Sequence, residues 1–81
     1  MPHVTVKLWP GRTEKRKKAL VDKIVEAVME ETDVDESAVS VSIEEVPSEK
    51  WVTEVYEPEI AGKKEYIYKK PGYTPKSLRD S

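Results

Sequence analysis

An 81-residue chain with a net charge of −2, and with hydrophobic and charged residues at 37% each, fits one small domain, and a domain of this size buries a small share of its surface. The absence of cysteine excludes disulfides, thiol nucleophiles and thiolate metal sites, and the single histidine, His3, leaves no zinc site of protein ligands in view. The charge exerts no pull on nucleic acid or an anionic membrane, no run nears the roughly 18 apolar residues of a spanning helix, and the start lacks a signal peptide's apolar core, so the expected setting is the cytosol.

Met1 is followed by Pro2. If the methionine is removed, Pro2 becomes a secondary amine with no amide resonance, fixed at the end of a strand and able to take a proton from carbon when its ammonium form is disfavoured. From Pro2 to Leu8 the residues alternate, with Val4, Val6 and Leu8 on one face and His3, Thr5 and Lys7 on the other, the period of a half-buried strand. Trp9 follows and Pro10-Gly11 breaks the strand.

Thr13 then has the chemistry of a helix N-cap, with Glu14 in the first turn where the helix dipole favours negative charge. Leu20, Val21, Ile24, Val25, Ala27 and Val28 recur at helical spacing and predict a helix from Thr13 to Glu31. Arg12 taken alone reads as a solvated loop charge, and the basic run Lys15 to Lys18 as a solvated helix face that also steers anions toward this end. Thr-Asp-Val-Asp-Glu-Ser ends the helix.

A second strand is predicted from Ala38 to Val46, where Val39, Val41 and Ile43 alternate with Ser40, Ser42 and Glu44. Glu44 and Glu45 are adjacent strand residues on opposite faces, so they do not act as an acid pair. Two strands joined by one long helix make a parallel pair with a right-handed crossover. The fold class is therefore α/β, a βαβ unit whose two-stranded sheet has open edges that a second copy would pair.

Pro47-Ser48-Glu49-Lys50 is a turn ahead of Trp51. Beyond it two readings stand: a short helix over Glu57 to Lys70 entered at Pro58, against which Gly62 counts, or an extended edge at Tyr66-Ile67-Tyr68. Pro71-Gly72 ends either one, and Thr74 to Ser81 reads as a loose polar tail.

Pro2 before a strand, the βαβ order, Gly11-Arg12 and Trp51 together resemble the 4-oxalocrotonate tautomerase family, short βαβ chains whose mature N-terminus is a catalytic proline. The likeness covers the first two-thirds of the chain. Met-Pro-His, Ser-Glu-Lys-Trp and the tail Ile-Tyr-Lys-Lys-Pro-Gly-Tyr are similar to its dimeric, longer-tailed branch, associated with phenylpyruvate-like keto acids and their enols. The resemblance implies one domain over 1–81, with a core at about 2–52 and an extension at 53–81, completed as a homodimer with a four-stranded sheet.

It also implies a keto–enol tautomerase acting on a small 2-keto acid without cofactor or metal. In that picture Pro2 is the general base, Arg12 binds the substrate carboxylate or polarises its carbonyl, and Trp51 is the apolar wall of the pocket. Lys7, on the same strand face as His3, is a further substrate-side candidate. Ser40 stands where the founding members carry a second arginine from a neighbouring subunit, which favours a monoacid over a dicarboxylate. Two other readings share the scaffold: a proline-dependent decarboxylase, hydratase or dehalogenase, and a non-enzymatic dimeric binding module.

Overall fold

The computed structural model describes residues 1–79 of the chain; the side chain of residue 79 lies outside that description, as do residues 80–81. The described residues divide into two compact units, Met1–Glu45 and a second that begins at Val46.

The first unit is the expected βαβ. Strand β1 spans His3–Leu8 and strand β2 spans Ser40–Glu45, paired in parallel. Between them runs helix α1, Glu14–Thr32. The register sets His3 opposite Ser40 and Leu8 opposite Glu45, so the polar sets coincide: His3, Thr5 and Lys7 share one face with Ser40, Ser42 and Glu44. The apolar sets Val4, Val6, Leu8 and Val41, Ile43 share the other.

Each end of α1 has a local cause. The Thr13 side chain accepts the Arg16 N–H at 3.2 Å, satisfying one of the orphan donors of the first turn. At the other end Asp33 turns left-handed (φ 53°) and its N–H closes on the Met29 carbonyl at 3.1 Å. The helix thus starts one residue after, and stops one residue beyond, the predicted Thr13 to Glu31.

Strand β2 is shorter than the predicted Ala38 to Val46. Asp35 accepts from both the N–H and the hydroxyl of Ser37 and caps a 3-10 turn, Glu36–Ala38, which uses up the start of that segment. These bonds also hold the Asp35 carboxyl below its ordinary range.

Lys17 leaves the solvated basic run. Its ammonium bridges Glu14 at 2.8 Å and Glu45 at 3.5 Å, joining α1 to the end of β2, and its side chain is only 16% exposed. Of the apolar stripe, Val21, Ile24, Val25 and Val28 are half-buried, whereas Leu20 and Ala27 stand exposed. No α1 residue is fully buried.

The second unit corrects the weakest part of the sequence reading. A 3-10 turn, Ser48–Lys50, leads into a π-helical segment, Val52–Ile60, and a 3-10 stretch, Ala61–Tyr66. The helical path begins well before Pro58 and carries it inside. In a regular α-helix a proline ring collides with the carbonyl four residues back, and here the chain is wound with the wider π spacing.

Gly62, which argued against a helix, is required by this one, since a β-carbon there would lie 2.8 Å from the Glu57 carbonyl oxygen. The extended edge does not form: Tyr66 closes the 3-10 stretch, Ile67 after it is extended, and the sheet of the described residues has two strands. The loose tail is also corrected. A short helix α2 spans Pro75–Arg79, with Thr74 N–H donating to the Ser77 hydroxyl and Ser77 N–H donating to the Thr74 hydroxyl, a reciprocal cap.

Among the described residues only Val46 and Val55, both in the second unit, are buried. No helix among them is long and apolar enough to cross a membrane.

Glu14 is held below the usual carboxylate range by the hydrogen bond and charge of Lys17, and Lys17 is raised by the same bond. A depressed carboxyl contributes stability that is present above its unfolded value and lost as pH falls through its folded one. Lys17→Met is therefore expected to lower the thermal midpoint at neutral pH. The gap from wild type should close as the pH drops below the ordinary carboxylate range, in melts at fixed protein concentration.

Candidate active site

Alternation delivers Pro2 to the mouth of β1. It is half-buried, and its carbonyl accepts the Ser40 N–H at 3.2 Å, the first rung of the parallel ladder. Met1 before it is 99% exposed.

Beside Pro2 the polar sheet face carries a continuous chain of hydrogen bonds. His3 Nδ1 and the Ser40 hydroxyl share one at 2.6 Å, and His3 Nε2 and the Thr5 hydroxyl share another at 3.3 Å. The Ser42 hydroxyl donates to Thr5 Oγ1 at 3.1 Å. Every side chain of the first two rungs on this face is therefore bonded to a neighbour. Further along, Lys7 pairs with Glu44 at 3.7 Å, a contact in which the lysine is 26% exposed and the glutamate 57%.

Arg12 lies elsewhere. Gly11 takes φ 129°, a conformation suited to glycine, and turns the chain so that Arg12 Nη1 donates to the Trp9 carbonyl at 3.2 Å. The guanidinium is exposed and sits past the C-terminal end of β1. Pro2 is at the other end, and at about 3.3 Å of rise per residue the strand separates them by roughly 20 Å. Within one chain the structure brings Pro2 together with His3 and Ser40, and does not bring it to Arg12.

Trp51, in the second unit, joins the 3-10 turn to the π-helical segment with helical backbone angles. Its indole N–H donates to the Tyr73 hydroxyl at 3.0 Å in a part-buried contact, and Tyr73 in turn meets Tyr56 with ring centroids 5.9 Å apart, tilted by 52°. These tyrosines, with Ile60, Lys64, Ile67 and Lys70, line a cleft of about 510 Å³. A second groove of about 420 Å³, between α1 and β2, is lined by charged side chains including Lys17, Lys18 and Asp22. Among the described residues no three histidine, aspartate or glutamate side chains gather as a metal ion requires.

Sequence reasoning missed two partners. Tyr73 carried one signal, its place after Pro71-Gly72, but nothing in the spacing joined it to Trp51. The bond from His3 to Ser40 depends on the register of a non-local parallel pair, which alternation alone does not supply.

Residues 2–58 match the family described as "Tautomerase enzyme". The chain is 41% identical over 73 residues to a probable tautomerase of Xylella fastidiosa, covering 90% of this chain and 89% of that protein. It is 36% identical over 74 residues to the tautomerase PptA of Cronobacter sakazakii, covering 90% and 97%. Among solved structures it is similar to YwhB, a homologue of 4-oxalocrotonate tautomerase, with a TM-score of 0.57 and 47% identity over 58% of this chain and 77% of that one.

Tyr73→Phe removes the hydroxyl that accepts from the Trp51 indole N–H and is expected to cost about 1 kcal/mol in chemical denaturation. The indole N–H resonance should move in the NMR spectrum of the same variant while those of the first unit stay in place.

Proposed function

The chain belongs to the tautomerase family, a family of isomerases, and on that footing we propose that it interconverts a 2-keto acid bearing one carboxylate with its enol, the prolyl amine of Pro2 acting as general base once Met1 is removed. The observation that carries this reading is the place of Pro2, half-buried at the first rung of the sheet, with its carbonyl fixed and its nitrogen facing the fully exposed Met1 side.

The chemistry is one proton moved between carbon and oxygen. A base of near-neutral strength takes the proton from the enol oxygen or from the carbon beside the carbonyl and returns it to the other atom. Partial burial and a nearby cation both disfavour the ammonium form of a prolyl amine, lowering its basicity toward the range where it works best. Arg12 supplies the cation and a planar fork for the carboxylate.

Because Arg12 and Pro2 lie at opposite ends of β1, the Arg12 that serves a given Pro2 comes from a second copy of the chain. A two-fold axis that pairs β1 with its partner's β1 runs them antiparallel and lays the end of one beside the start of the other. The same pairing closes an open edge of the sheet. It also answers the sparse burial of the single chain, in which the whole of α1 lacks a buried residue. We therefore read the working unit as a homodimer.

Substrate choice follows from the charges at the Pro2 end. Where the resemblance places a second arginine, Ser40 offers a hydroxyl, so one carboxylate is matched and a second is not. An apolar or aromatic body, as in phenylpyruvate, suits this balance, with Trp51 as the apolar contact. Lys7 already faces Glu44 and serves as a secondary electrostatic group.

The test is enol ketonisation, with phenylenolpyruvate as substrate, on protein whose intact mass confirms loss of Met1. Pro2→Ala should lower kcat/KM by about 100-fold or more. A rate equal to wild type, or full activity in protein that retains Met1, contradicts the assignment of the base.

A further inference from the structure

We propose that Ser40 is a positioning residue for the N-terminal amine, clasping the start of the chain through its main-chain N–H on Pro2 and its hydroxyl on His3. The inference rests on the reading of Pro2 as the base and goes beyond it, by giving Ser40 a task other than meeting the substrate.

The first residues of a chain fray unless something ties them down. Here Ser40 makes two bonds to two successive residues at that end: its N–H donates to the Pro2 carbonyl at 3.2 Å, and its hydroxyl bonds His3 Nδ1 at 2.6 Å. The histidine is held from its other side as well, where Nε2 meets the Thr5 hydroxyl at 3.3 Å, and Thr5 is itself bonded by Ser42 at 3.1 Å. All four residues lie on two successive rungs, His3 opposite Ser40 and Thr5 opposite Ser42, so the side-chain chain runs along the same register as the backbone ladder.

The consequence for the amine is geometric. Once Met1 is gone, the pyrrolidine nitrogen is separated from the anchored Pro2 carbonyl by one rotatable bond, because the ring removes its own torsion and the next peptide unit is planar. Pinning that carbonyl and the following side chain leaves the amine a single rotation. A base with one free torsion presents fewer orientations to the reacting carbon than a frayed one, and orientation lost at a base appears in the chemical step ahead of binding.

The hydroxyl's engagement also separates this role from the one the arginine comparison suggests. A group that binds substrate carboxylate changes KM when removed, whereas a group that orients the base changes kcat. Ser40→Ala keeps the backbone bond and deletes the hydroxyl. Ser40→Thr keeps the hydroxyl on a residue that suits a strand.

In enol ketonisation, Ser40→Ala should lower kcat roughly 3- to 10-fold, the worth of one hydrogen bond, with KM within about twofold of wild type. Ser40→Thr should restore the rate. His3→Ala, which also loses the bond to Thr5, should lower kcat at least as much as Ser40→Ala, and the double variant should be no slower than His3→Ala alone, because both changes remove the His3–Ser40 bond. In parallel, the heteronuclear NOE of the His3 amide should fall in Ser40→Ala and His3→Ala and recover in Ser40→Thr.

An unchanged kcat in Ser40→Ala, a loss confined to KM, or an unchanged His3 amide NOE each overturns the clasp. Failure of the underlying reading is distinguishable. It would show as a Pro2→Ala protein with wild-type rate, and the NOE series would still decide whether Ser40 holds the start of the chain.

Discussion

The parallel pairing of β1 with β2 is the constraint on which the rest of this structure depends. Parallel strands cannot be joined by a tight turn, so the chain must carry a crossover, and α1 is that crossover. The pairing also decides what lies near what. It brings residue 40 beside the first residues of the chain and leaves Arg12, four residues beyond Leu8, at the far end of β1. A different register by one residue would turn His3 and Ser40 to opposite faces and dissolve the hydrogen-bond chain that joins them.

From this follows a division of labour. The proposed chemistry needs an amine and a cation close together, and the topology of a single chain holds them apart. On the proposed reading a second copy resolves the conflict, and the features that look like defects in isolation acquire a reason. We propose that the open sheet edges, the exposed Leu20 on α1 and the scarcity of buried side chains among the described residues belong to the interface with that second copy.

Much of this was legible in the residues, for reasons that differ element by element. Alternation over residues 3–8 and the stripe from Val21 to Val28 report burial directly, so the βαβ order could be read and the ends of β1 and α1 fell within one residue. The start of β2 was read too early because the Asp35 and Ser37 cap competes locally with the strand, a contest decided by side-chain geometry.

Past Trp51 the signals conflict. Pro58 reads as a helix start and Gly62 as an argument against a helix, whereas the chain carries Pro58 inside a π-wound segment and brings Gly62 close to the Glu57 carbonyl, solutions that no periodicity encodes. Of the candidate site, Pro2 and Arg12 were chosen from their places before β1 and after Gly11, and the distance between them follows from the length of β1, which the alternation from Pro2 to Leu8 already implied.

The most direct measurement of the central claim is subunit complementation. Pro2→Ala and Arg12→Ala proteins, each nearly inactive alone, are unfolded together, refolded and assayed for enol ketonisation. If the base and the carboxylate-binding cation of one site come from two copies, half of the randomly assorted dimers carry one intact site, and activity rises to about a quarter of wild type. A mixture no more active than its two components would contradict the account.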